Sequence, residues 1–274
     1  MQLKELASIS QRFAPTPRMP VLFLGHGSPM NAIEENVFVQ GFRSIGGELP
    51  RPNAVLCISA HWETRGTQVT AMAMPRTIHD FGGFPQELFD VQYPAPGSPE
   101  LAEATRELLA PSPVDLDQSW GLDHGAWSVI KHLYPDADVP VVQLSLDRGL
   151  DGRQHYALGR QLAPLRERGV LIVGSGNMVH NLGLVAWDHL QEVHAFDWAA
   201  EARERMNRSI LEGDHATLQD YHVQGKAFQL AIPTPEHFLP LLYALALQEK
   251  DETPMLFNDL PVAGSLTMTS VLVR

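Results

Sequence analysis

Histidine is the residue type to follow in this chain. Two imidazoles close short apolar runs that read as β-strands. Val21-Leu22-Phe23-Leu24 leads into Gly25-His26-Gly27-Ser28-Pro29, and Ala54-Val55-Leu56-Cys57-Ile58-Ser59 leads into Ala60-His61-Trp62. A third run, Val170-Leu171-Ile172-Val173, opens into Gly174-Ser175-Gly176-Asn177 and reaches His180. In open α/β sheets the carboxyl ends of the strands form the crevice where ligands bind. Imidazoles delivered there from distant parts of the chain point to one metal site, and so to enzyme chemistry.

Pro233-Thr234-Pro235-Glu236-His237 reads as a helix start, with Thr234 as cap and Pro235 at the first helical position. Its first turn could supply a third ligand: His237 or, in competition with it, Glu236. Two histidines and a carboxylate would suit ferrous iron. His180 and His124 could be ligands or acid–base groups, since imidazole titrates near neutrality. Asp123, beside His124, could orient an imidazole or cap the helix that follows. Of the 12 histidines, His132, His155, His189, His194, His215 and His222 fall on helix faces or in polar loops and carry no such signal.

Sharper motifs are missing. Gly25-His26-Gly27-Ser28 lacks the third glycine of a dinucleotide fingerprint, and no Gly-Lys-Ser/Thr follows a glycine-rich turn. Gly174-Ser175-Gly176 lacks the spacing of a nucleophile elbow. There is no His-Glu-x-x-His pair and no cysteine pair for a structural zinc.

The elements that must position these residues alternate. Strands are predicted over 20–24, 54–59, 68–73, 139–146, 170–174 and 265–273. Helices are predicted over 99–110, 125–134, 151–168, 195–212 and 235–248, with Ser98-Pro99-Glu100 as a clear start signal. This is an α/β pattern: a mainly parallel or mixed central sheet with helices on both faces and the metal site at the strand carboxyl ends. The 20–24 and 54–59 strands are spaced as one crossover unit. Residues 1–18 read as an N-terminal helix or arm. Residues 74–98, rich in Pro, Gly and aromatics, form a long functional loop, and 180–194 a second loop that could act as a lid. The 274 residues are read as one domain spanning 1–274.

Composition bounds the rest. Apolar residues make up 44% and charged residues 19%, ordinary for a globular chain with a sizeable core. A diffuse net charge of -12 disfavours nucleic acid and anionic membrane as partners. The single cysteine, Cys57, sits in an apolar run and excludes an intrachain disulfide framework, so a reducing cytoplasm is the expected compartment. No signal peptide and no membrane-spanning run is expected.

Several stretches then combine. They are Pro20 to Met30, Ser59-Ala60-His61-Trp62, Thr77-Ile78-His79-Asp80-Phe81-Gly82-Gly83-Phe84-Pro85, Tyr93-Pro94-Ala95-Pro96-Gly97, Gly121-Leu122-Asp123-His124-Gly125, Gly174 to Asn181 and Thr234-Pro235-Glu236-His237. Together and in this order, the chain resembles the class III extradiol ring-cleaving dioxygenases, in the subgroup called 4,5-DOPA dioxygenase extradiol. The resemblance implies metal ligands at His26, His61 and His237, with His180 as the catalytic histidine and His124 as a second active-site histidine. His180 lies close enough to bind the metal in some members. The wider class uses a glutamate as third ligand, which keeps Glu236 in competition.

One divalent metal per chain is implied, Fe(II) for activity and Zn(II) as an alternative bound species. A catechol such as L-DOPA would bind the iron through both hydroxyl oxygens. Its ring would open with O2 outside the diol, while His180 moves a proton. His79, Phe81 and Phe84 would contact the ring, or pack their own loop. Arg148, Arg76 and Asp80 are candidates for the charged groups of an amino-acid catechol. The chain would be a monomer or homodimer. The competing class is a zinc-dependent hydrolase using a metal-activated hydroxide. A third, a non-catalytic binder, leaves His180 and His124 without a purpose.

Overall fold

The computed structural model describes residues 13–190 and 192–274. The predicted N-terminal helix or arm falls largely outside them. In chain order the first half forms β1 (Val21–Gly25), α1 (Val37–Glu48), β2 (Ala54–Thr64), β3 (Thr67–Thr70), α2 (Gln86–Phe89), α3 (Pro99–Leu108), β4 (Val114–Asp117) and α4 (His124–Leu133). The second half forms β5 (Val141–Asp147), α5 (Gly152–Gln161), α6 (Ala163–Arg166), β6 (Val170–Gly176), α7 (Asp197–Glu212), α8 (His215–Gln219), α9 (Lys226–Ala231), α10 (Leu239–Ala246), β7 (Pro254–Phe257), β8 (Pro261–Val262), β9 (Leu266–Thr267) and β10 (Ser270–Val273).

Eight strands make one mixed sheet in the order β4-β3-β5-β2-β6-β1-β10-β7. Its centre, β5-β2-β6-β1, is parallel, and β10 and β7 add antiparallel strands at one edge. β1 and β6 are buried along their whole length, as expected of parallel strands covered on both faces. Alternate side chains serve the two faces. Val21, Phe23, Leu56, Ile58 and Ile172 join one core with α10 and α7, while Leu22, Leu24, Val55, Cys57 and Leu171 join the other with α1 and α4. The expected α/β class, with helices on both faces, is what the chain adopts.

Several local expectations are corrected. β1 and β2 are not neighbours, because β6 lies between them and pairs with both. β2 runs on to Thr64, with a register shift between Ile58 and Glu63, so His61 sits inside a strand rather than after one. The helix expected over 151–168 divides at Leu162. Pro164 stands just beyond the break, and its missing N–H fits only a helix's first turn. The helix expected from Pro235 begins at Leu239 instead, with Pro240 in its first turn. A start at Pro235 would put Pro240 in the helix interior, where it removes a hydrogen bond and clashes with the preceding turn. The strand expected over 265–273 is interrupted between Thr267 and Ser270. Strands β4 and β7 and helix α1 had no counterpart among the predicted elements.

Candidate active site

The register of the parallel strands brings the site together. Gly25 of β1 is level with Gly176 of β6, and Ser175 is level with Ser59 of β2. His26 follows β1 directly, and its backbone N–H donates to the Gly176 carbonyl at 3.0 Å. His237 comes from the turn before α10. That turn lies against β6: the Asn177 N–H donates to the His237 carbonyl at 2.9 Å. Glycine is required opposite it, because a Cβ on Gly176 would stand 2.1 Å from the His237 carbonyl oxygen. Gly125, in the first turn of α4, does the same for His61: a Cβ there would lie 2.7 Å from the ring.

Three imidazoles thus converge. Ring centroids of His26, His61 and His237 stand 5.0–5.2 Å apart, and one ring nitrogen from each falls within 4.8 Å of the others. His26 Nε2 and His61 Nε2 are 3.2 Å apart. Each ring has an oxygen facing its other nitrogen. The Ser175 hydroxyl donates to the Gly125 carbonyl, so at 3.0 Å its oxygen accepts a hydrogen bond from His26 Nδ1–H. His61 Nδ1 lies 3.6 Å from Asp80 Oδ2, and His237 Nδ1 lies 3.2 Å from Glu236 Oε1. These oxygens favour a proton on Nδ1 of each ring, the tautomer that leaves the Nε2 lone pair free. Two such lone pairs facing each other call for a cation between them. Nitrogen ligands about 2.1 Å from one ion at a near-tetrahedral angle would stand about 3.4 Å apart. The donor set fits a divalent metal.

Two more imidazoles flank the three. The His180 ring stacks on His237 with centroids 3.6 Å apart, its backbone N–H held by the Ala231 carbonyl. The His124 ring lies 3.9 Å from that of His61. Burial, and then the neighbouring imidazoles, push His26 and His61 well below the ordinary histidine value. Burial and His237 lower His180 to about 3. These rings are neutral at neutral pH. Burial alone would raise Glu236, but hydrogen bonds from His237, its own backbone and Thr234 outweigh it and hold the group at about 2. Asp80 also stays ionised: burial would raise it, and its contacts with His124 and His61 outweigh that.

The remaining expected residues are placed as follows. Thr234 donates to Glu236 Oε1 and does not cap a helix. Asp123 does cap α4, accepting from the Ala126 N–H, and its carboxylate also takes Ser59 Oγ and Gln143 Nε2. The Phe81 ring meets His124 edge-on at 5.5 Å and Phe84 at 5.5 Å. His79 is turned to the Val91 carbonyl at 2.9 Å and packs against Trp127. Arg76 donates to the Trp120 carbonyl, and Arg148 pairs with Glu63 at 3.5 Å. Ser175, as the partner of His26, went unremarked in the sequence. Asp80 was read for a different purpose.

Buried histidines gathered where parallel strands end, with a donor set that fits a divalent ion, define an α/β metalloenzyme type of site. Comparison with known proteins narrows that class. Residues 17–267 match the family described as the catalytic LigB subunit of aromatic ring-opening dioxygenase. The chain is 48% identical over 260 residues to 4,5-DOPA dioxygenase extradiol of Escherichia coli K12, covering 93% of this chain and 95% of that one. It is 40% identical over 245 residues to the protein of the same name from Beta vulgaris, covering 86% and 90%. The crystal structure of an uncharacterized protein from E. coli K12 matches with a TM-score of 0.80 at 42% identity, over 94% of this chain and 100% of that one. The chain belongs to the LigB family and is an extradiol-type dioxygenase. Among the described residues no helix is long and apolar enough to cross a membrane.

Proposed function

We propose that the chain holds one Fe(II) on His26, His61 and His237 and opens the ring of a catechol of the 4,5-DOPA type, using O2. The observation that carries this reading is the ligand geometry: three imidazoles, two buried and one half-buried, each with an oxygen facing Nδ1 and one ring nitrogen offered to a common space. The relatives' names support the substrate class. Iron, when bound, supplies the one-electron chemistry and positive charge through which a catechol can react with triplet oxygen; zinc, without redox chemistry, cannot.

The residues divide the remaining work. Glu236 orients His237 through Oε1, which takes His237 Nδ1 and Thr234 Oγ1. A ring nitrogen of His180 accepts a catechol hydroxyl proton. The negative charge of the bound catecholate beside that ring raises its proton affinity. The same nitrogen returns the proton as the ring opens. His124 borders the space left for dioxygen. Phe81 and Phe84 form an apolar wall for the aromatic ring, and His79 braces their loop through Val91. The reducing interior of the cell, where Fe(II) persists, is the setting such chemistry needs.

The test is anaerobic loading with Fe(II), then L-DOPA and air, followed by absorbance and oxygen uptake. A yellow ring-opened product with one O2 consumed per catechol is expected. No oxygen uptake with any catechol, in protein holding stoichiometric iron, overturns the reading.

A further inference from the structure

We propose that Asp80 is a positioning residue for the metal centre, its carboxylate holding His61 and His124 in the orientation that leaves both Nε2 atoms to the site. This rests on His61 being a ligand, as proposed above. Asp80 lies in the loop between β3 and α2, 44 residues from His124 in sequence, and its two oxygens divide between two rings. Oδ2 stands 3.6 Å from His61 Nδ1. Oδ1 stands 3.0 Å from His124 Nδ1 and accepts the His124 backbone N–H at 2.9 Å. Among the described residues, the basic groups within 4.0 Å of the Asp80 carboxylate are these two imidazoles.

Three further observations point the same way. The His124 Nδ1 atom is buried without a well-aligned hydrogen bond, and the polar group facing it is Asp80 Oδ1 at 3.0 Å. Two rings with centroids 3.9 Å apart have little room to turn, so one carboxylate addressing both Nδ1 atoms fixes both tautomers at once. The loop that delivers Asp80 is tied down just before it. The Ile78 N–H donates to the Leu122 carbonyl at 2.7 Å, the Leu122 N–H to the Arg76 carbonyl at 2.8 Å, and Trp127 Nε1 to the Ile78 carbonyl at 2.8 Å. Phe81, the next residue, lies edge-on to His124. One short segment therefore carries both the orienting carboxylate and part of the aromatic wall. Carboxylates that fix the tautomer of a ligating histidine typically contribute 10–100-fold in metal affinity.

The experiment uses the full chain stripped of metal by chelation and titrated with Co(II) against a competing chelator. Asp80→Asn, Asp80→Glu and His61→Ala are run beside the wild type. Asp80→Asn is expected to bind Co(II) about 10–100-fold more weakly, with a changed visible spectrum. Its Fe(II) form is expected to show a fall in kcat larger than any rise in KM for the catechol. Asp80→Glu, which keeps the charge, is expected to recover part of the affinity. Nitrogen-15 spectra of histidine-labelled, metal-free wild type are expected to show His61 and His124 as Nδ1–H tautomers, a readout that needs no variant to fold. Wild-type affinity and spectrum in Asp80→Asn, or Nε2–H tautomers on both rings, overturns the proposal. His61→Ala separates the two levels of failure. If it abolishes Co(II) binding, the ligand assignment stands and Asp80 is judged on its own variants. If it binds like wild type, the ligand assignment fails and the role of Asp80 fails with it.

Discussion

The imidazoles of His180 and His237 lie face to face, 3.6 Å between centroids and 8° from parallel. Their anchors differ. His237 is fixed by Glu236 and by the backbone bond from Asn177, whereas His180 hangs from the Ala231 carbonyl at the start of a loop. On the proposed function, a ring that stacks on a ligand but is held separately would handle protons beside the metal.

His180→Ala is therefore expected to keep one metal per chain and to lose turnover by about 10²–10⁴-fold, the usual contribution of a positioned acid–base group. Metal analysis and steady-state oxygen uptake on the same preparation check it. Metal content falling in step with turnover would make His180 a fourth ligand instead.

The histidines were legible because their signal is local: each of His26, His61 and His180 follows an apolar β-run within a few residues. Their partners were not. Ser175 meets His26 only because β1 and β6 pair in parallel, and Asp80 reaches His124 only because its loop bonds to Leu122. Pairings of that kind have no signature along the chain. Among the elements, β4 escaped because Val114-Asp115-Leu116-Asp117, although it alternates apolar and polar residues, is only four residues long and lies at the sheet edge. Helix α1 carries Gly41, Gly46 and Gly47, which lower helix propensity, and packing of Phe42 and Ile45 with α4 residues overrides that. At Pro235 two proline signals compete five residues apart, and Pro240 wins because only the later start leaves it in a first turn.

Gly176→Ala tests how closely the His237 turn must approach the sheet. The new methyl group would lie 2.1 Å from a backbone carbonyl oxygen, which cannot swing aside as a side chain would. The expected cost is about 1–3 kcal/mol of stability, read from denaturant unfolding of the metal-free chain. Metal affinity is expected to fall as well, since the displaced segment carries His237. Unchanged affinity would mean that this turn does not deliver a ligand.

Metal removal is expected to lower thermal stability in a concentration-dependent way. A ligand that binds only the native state at 100 times its Kd stabilises by about 2.7 kcal/mol. At about 2–4 °C per kcal/mol for a chain of this size, chelation is expected to lower Tm by roughly 5–10 °C, with recovery on adding Fe(II) or Zn(II). Differential scanning fluorimetry across a metal titration reads this. A Tm indifferent to chelator and metal alike would argue against a preformed site on His26, His61 and His237.

Acid sensitivity is expected from a histidine outside the site. His155 is wholly buried beneath α10, with Nδ1 3.0 Å from the Tyr243 hydroxyl. Burial lowers it from 6.5 to about 4, against smaller opposing effects of Asp147 and Asp151. The unfolded chain then binds the proton more readily than the native one. Stability is complete above about pH 6.5 and falls as pH drops toward 4, by up to about 3 kcal/mol for this one group. His155→Gln removes the titration while keeping a hydrogen-bonding side chain. Its stability in urea is expected to fall less steeply than wild type between pH 6.5 and 4, by a slope of up to one proton. Because the other histidines are common to both proteins, the difference between the two curves isolates His155. Parallel curves would mean that this ring takes up its proton in the folded chain as easily as in the unfolded one.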